Sequence, residues 1–172
     1  MSTAIASPAA APLGDATRER FALEVAKYPA DQAQSAVMAC LSIVQQEQGW
    51  VSPASEKAVA DYLGMPVMAV HEVTTFYNMY NQKPVGRFKL NVCTNAPCMF
   101  AGGPEALRHL CGKLGVEPYG TTADGQFTVQ PSECLGACGD APVMLVNDRH
   151  MCSFMSNDKL DQLVDGLRQA ED

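Results

Sequence analysis

The sequence predicts a two-part α/β chain, a small helical bundle followed by a small α/β sandwich. Three observations carry this. Apolar residues recur at helical spacing through the first half, between recognisable start and stop signals. From Asn81 to Gly86 the texture changes, and Phe88, Leu90 and Val92 then alternate with polar residues as in a half-buried strand. Beyond them, short strand-like runs are interleaved with two amphipathic helices.

A short first helix is expected over residues 18–27, ahead of Pro29. Asp31 can cap a run reaching Gln48, with Val37, Cys40, Leu41 and Val44 on one face and Gly49 as its stop. Ser52 followed by Pro53 is an N-cap with proline at the first helical position, and Gly64 follows Leu63 at the other end. Pro66 opens a further helix carrying Val67, Val70 and Val73 towards Phe76. After the break, the strand of Phe88, Leu90 and Val92 runs straight into Cys93. A helix over 104–114 bears the stripe Leu107, Leu110, Cys111 and Leu114, with Gly115 as C-cap. Asp124-Gly125 marks a turn before a strand over 127–129. Strands over 143–146 and 149–154 are joined by Asn147-Asp148, and Ser156 caps a last helix with Leu160, Leu163, Val164 and Leu167. The expected boundaries are a disordered tail over 1–16, a helical bundle over 17–85 and the α/β part over 86–172.

Bulk properties narrow the function. At 172 residues the chain can bury a core without staples. Only 18% of residues are charged, which suits a chain that spends its life docked to others. A net charge of −7 argues against nucleic acid or an anionic lipid surface as partner. No stretch approaches the apolar length of a membrane span, so no direct membrane insertion is expected. The Ala- and Pro-rich first 16 residues lack the features of a secretory or mitochondrial leader. Seven cysteines without such a leader fit a reducing compartment, and the chain reads as cytoplasmic.

Four of those cysteines form two tight pairs, Cys93/Cys98 and Cys134/Cys138, with 35 residues between the pairs. Each pair can put two thiolates on one side of a metal centre. Both fall at element ends, on loops of small residues, where Gly102, Gly103, Gly136 and Gly139 leave room for backbone N–H groups to approach sulfur. Spacing alone leaves three readings open. A [2Fe–2S] cluster leads, structural zinc usually shows a C-x2-C knuckle that is absent here, and a disulfide pair conflicts with the compartment.

The residues around the pairs are more specific. The run Glu133-Cys134-Leu135-Gly136-Ala137-Cys138-Gly139-Asp140-Ala141-Pro142, preceded by Asp124-Gly125 and Phe127, resembles the thioredoxin-like [2Fe–2S] ferredoxin family. Within it the chain is similar to the small iron–sulfur subunits of the NADH-oxidising module of respiratory complex I. The resemblance spans residues 30–167 and includes the segment from His71 to Tyr77. It implies a thioredoxin-like domain with a mixed sheet. It also implies one [2Fe–2S] cluster held by Cys93, Cys98, Cys134 and Cys138, with no catalytic residue of the chain's own. FMN and NAD would belong to a partner flavoprotein, beside further iron–sulfur subunits. The host implied is NADH:quinone oxidoreductase, on the cytoplasmic face of the inner membrane. A soluble NAD-dependent formate dehydrogenase or NAD-reducing hydrogenase is the alternative, and a zinc-stabilised interaction module is the reading from another class. Family members often carry a large aromatic directly after the second ligand, whereas here Met99 precedes Phe100.

Charge adds a separate expectation. A four-thiolate cluster carries a formal charge of about −2, and reduction makes it more negative. From Cys93 to Pro104 and from Phe127 to Pro142 there is no Lys or Arg, while Glu133 and Asp140 add negative charge. The expected midpoint potential is low, with backbone N–H groups as the main stabilisation of the reduced form.

The remaining candidates read as structural. Cys40 and Cys111 complete apolar helical stripes, and Cys152 reads as strand filler. His71, His109 and His150 look isolated, fit for packing or capping. Phe76, Tyr77 and Tyr80 either face the flavoprotein or form a core. No glycine-rich phosphate loop follows a strand, so no nucleotide site is expected.

Overall fold

The computed structural model describes residues 13–170, and the chain divides into two compact units between Pro84 and Val85. In the first unit, α1 (Asp15–Val25), α2 (Val37–Gln48), α3 (Pro53–Leu63) and α4 (Val67–Phe76) surround a core of Phe21, Cys40, Leu41, Val44, Val59 and Val70. The local signals act as their chemistry dictates. The Ser52 hydroxyl accepts from the Ser55 N–H at 3.1 Å, and Gly49 and Gly64 end α2 and α3 in the left-handed conformation.

Two expectations in this unit need correction. Of the tail expected over 1–16, residues 1–12 lie outside the described residues, but Leu13 is buried and α1 begins at Asp15. The first turn is secured from outside, since the Thr17 hydroxyl donates to Glu47 at 2.7 Å. The helix expected from Asp31 is instead a 3-10 stretch, Ala30–Ala36, kinked at Gln32, and α2 starts only at Val37. Residues 31–35 present no apolar stripe, so burial does not reward a regular helix there.

The second unit contains β1 (Phe88–Cys93), α5 (Ala96–Phe100), α6 (Gly103–Leu114), β2 (Gly120–Thr121), β3 (Phe127–Ser132), β4 (Met144–Val146), β5 (His150–Cys152) and α7 (Asn157–Gln169). Its five-stranded sheet has the order β2-β3-β1-β4-β5 and is mixed: β1 and β3 are parallel, and the other pairings are antiparallel. Leu90, Val92, Phe127, Val129 and Met144 pack with Leu110 of α6 and with Leu160 and Val164 of α7. Burying Leu110 or Leu160 completely contributes about 1.5–3 kcal/mol each.

The parallel pair positions the site. Its register sets Cys93 opposite Ser132, so β1 and β3 deliver both cysteine segments to the same sheet end. In mixed and parallel α/β sheets the carboxyl ends of strands are where ligands collect.

Candidate metal centre

Cys93 is the last residue of β1 and is buried, with its N–H donating to the Val143 carbonyl at 3.1 Å. Cys98 is equally buried but does not lie on a loop as expected. It sits within the short helix α5, which Asn95 caps through its side-chain oxygen and Pro97 enters at the first turn. Five residues are too few to show a helical period, so the sequence pattern concealed this element.

Cys134 and Cys138 are exposed, with Cys138 opening a 3-10 turn, Cys138–Asp140. Their sulfurs stand 4.0 Å apart. The two segments meet: Cys93, Cys98 and Val143 form a small buried cluster against Leu135, Ala137 and Ala141 of the second loop.

The thiols sense one another. Burial raises the Cys98 pKa against a hydrogen bond from the Val143 N–H, and the neighbouring Cys93 and Cys138 raise it further. For Cys138 the hydrogen bond with the Cys134 thiol is the main cause of an upward shift, and Cys93 adds to it. Backbone donors reach sulfur in both segments, from Val143 to Cys98 and from Gly136 to Cys134 at 3.4 Å.

Cys134 pairs with Cys138 through sulfur, and Cys98 with Cys93. Among the described residues, no three His, Cys, Asp or Glu side chains are arranged as ligands of a single metal ion. The donor set fits a two-iron cluster, which takes four thiolates, one pair to each iron.

Glycine has two distinct uses here. Gly136 adopts φ +77°, which turns its N–H towards Cys134. At Gly103, a Cβ would lie only 2.4 Å from the Cys93 carbonyl oxygen, so α6 can begin against the end of β1 only because that side chain is missing. Gly139 shows neither constraint, and the role expected for it is not needed.

The other cysteines sit away from this group. Cys40 is fully buried in the helical core, and that burial, with Glu24 nearby, pushes its thiol up to about 12. Cys111 and Cys152 pack against the sheet core, and burial raises both. Two histidines are not isolated as expected. His71 lies 3.0 Å from the buried Glu56 carboxylate, which also accepts from the Thr74 hydroxyl, and His109 bonds Asp161 at 2.8 Å. These partners come from separate helices, so no local pattern could have revealed them. Phe76 is 80% exposed, whereas Tyr80 is buried with its hydroxyl donating to the Met38 carbonyl at 2.9 Å.

A model of the thioredoxin-like [2Fe–2S] ferredoxins matches residues 21–168. The chain belongs to that family. An NADH-quinone oxidoreductase subunit of Rhizobium meliloti is 40% identical over 154 residues, covering 90% of each chain. Subunit 2 of the NADH-quinone oxidoreductase of Thermus thermophilus is 39% identical over 143 residues, 83% of this chain and 79% of that one. Among solved structures, the NAD+-reducing [NiFe]-hydrogenase in its H2-reduced state is similar in fold, with a TM-score of 0.68 at 21% identity. That likeness covers 79% of this chain, which spans only 23% of the hydrogenase chain. Among the described residues no helix is long and apolar enough to cross a membrane.

Proposed function

We propose that this chain is the electron-transfer subunit of an NADH:quinone oxidoreductase, holding one [2Fe–2S] cluster on Cys93, Cys98, Cys134 and Cys138. The observation that carries the reading is the meeting of the two cysteine pairs at one end of the parallel strands, in a chain of this family. When bound, the cluster supplies one-electron redox chemistry, and the chain supplies position, burial and hydrogen bonds. Cys93 and Cys98 hold the inner side of the site, shielded from water by Val143. Cys134 and Cys138 hold the outer side, where a partner can approach. The Val143 N–H favours the charged form of the Cys98 sulfur, and the Gly136 N–H donates to Cys134.

The partner is a flavoprotein carrying FMN and the NADH site, within a larger assembly that contains further iron–sulfur subunits. Exposed Met99 and Phe100, on the same short helix as Cys98, support a docking face beside the site. The relatives at 37–40% identity are subunits of NADH-quinone oxidoreductases, and they favour that host over a soluble hydrogenase or formate dehydrogenase. The chain would then be peripheral, on the cytoplasmic face of the inner membrane. In this reading the unit ending at Pro84 is the helical domain and the unit beginning at Val85 is the cluster domain.

The test is iron, sulfide and zinc analysis of anaerobically purified protein, with EPR before and after dithionite. About two irons and two sulfides per chain, with a signal appearing only on reduction, is the expected result. Colourless protein holding a single zinc would overturn it.

A further inference from the structure

The two ligand segments are joined by a polar contact that the cysteine pattern does not call for. The Asn95 side-chain N–H donates to the Glu133 carboxylate at 3.0 Å, across 38 residues of sequence. At its other end the same amide accepts from the Ala96 N–H at 3.0 Å, which caps the helix bearing Cys98. Glu133 is bonded in sequence to Cys134. One asparagine therefore links the helix of the inner pair to the residue beside the outer pair. Backbone pairing supports the same joint, since the Thr94 N–H donates to the Ser132 carbonyl at 3.1 Å.

We propose that Asn95 and Glu133 form a clasp that holds the two ligand segments in register, and that the Glu133 carboxylate also disfavours reduction of the centre they enclose. This rests on the cluster assignment above. The two effects have separate physical origins. Holding depends on the hydrogen bond, which survives if Glu133 keeps an acceptor oxygen without its charge. Tuning depends on the charge, which lies beside a centre that gains negative charge on reduction. No Lys or Arg between Cys93 and Pro104 or between Phe127 and Pro142 offsets it. Glu133 is exposed, so water and salt screen the effect and keep it moderate.

The clasp is tested by comparing Glu133→Gln, Glu133→Ala and Asn95→Ala with the wild-type protein in EPR-monitored redox titration and in cluster release to an iron chelator. Glu133→Gln keeps the acceptor and removes the charge. Its midpoint should rise by a shift of about threefold in the reduced-to-oxidised ratio, where tenfold is about 59 mV for one electron. Its release rate should stay at the wild-type value, and the midpoint shift should shrink in about 1 M salt, where the Debye length falls to about 3 Å. Asn95→Ala keeps the charge but removes the cap of α5 along with the bond to Glu133, so release should quicken; Glu133→Ala removes that bond and leaves the cap, so its release should quicken about two- to fivefold, the worth of one exposed hydrogen bond. A wild-type midpoint in Glu133→Gln, or wild-type release in Glu133→Ala, overturns the clasp while leaving the cluster assignment intact. Wild-type protein without iron, sulfide and the EPR signal overturns both.

Discussion

Replacing Gly103 with alanine isolates how closely the fold packs its backbone around the inner cysteine pair. The new Cβ would lie 2.4 Å from the Cys93 carbonyl oxygen, 3.0 Å from that of Cys98 and 3.2 Å from the Cys98 carbonyl carbon. Real Cβ contacts essentially never fall below 3.0 Å, so the Cys93 carbonyl or the start of α6 must retreat by at least 0.6 Å (3.0 − 2.4). All three obstacles are backbone, with no flexible side-chain end to swing aside. Nor is Cys93 free to yield, because its N–H is bonded to Val143 and the next N–H to Ser132, both at 3.1 Å. Overpacking of this kind costs about 1–3 kcal/mol. A shift of this size also exceeds the roughly 0.5 Å within which a functional constellation must be held. The expected outcome is protein with less iron and sulfide, an altered EPR line shape and faster release of iron to a chelator. Gly139→Ala is the matched comparison, since nothing lies within 4 Å of its would-be Cβ, and it should behave as wild type. Wild-type iron content, spectrum and release in Gly103→Ala would refute the packing argument.

Other outcomes follow from the same structure. Serine at any of Cys93, Cys98, Cys134 or Cys138 should lower iron content or change the EPR spectrum, whereas Cys40→Ala, Cys111→Ala and Cys152→Ala should retain about two irons. Redox titration of the wild-type protein should give a midpoint near or below about −400 mV, because no basic residue lies within either ligand segment. Glu56→Ala should destabilise the helical unit by about 1–3 kcal/mol, since it leaves the buried Thr74 hydroxyl without its carboxylate; Trp50, the one tryptophan, reports unfolding of that unit by fluorescence. Asp161 is held below its ordinary value of 3.8 by the hydrogen bond from His109 and then by Lys113. The contribution of this ion pair is therefore present above that value and lost as pH falls through the depressed one. Asp161→Asn should flatten the acid limb of the stability profile, measured by thermal unfolding below about pH 4.

Elements that carry their own start, stripe and stop are legible in the sequence. The helices at Pro53–Leu63 and Asn157–Gln169 follow from Ser52 and Ser156 as caps and from periodic apolar faces. Elements whose shape depends on distant partners are not. The α5 helix is one turn long and exists between a capping asparagine and the packing of Cys98. The segment over 30–36 has helical composition, but Ala36 alone of it is buried in the core, and it winds as a 3-10 stretch. His71 and Glu56 are 15 residues apart on different helices, and only the packing of α3 with α4 brings them together.

For the site itself, the sequence by itself determined the chemistry: four thiols in two pairs, small residues around them and no cation in either segment. The identity of a thiol and the spacing within a pair are both local. Only the tertiary structure decided which pair is buried and which is exposed, and that Gly103 and Val143 pack against the inner pair. The parallel pairing of β1 with β3 decides it, because a parallel register carries two segments distant in sequence to the same end of the sheet.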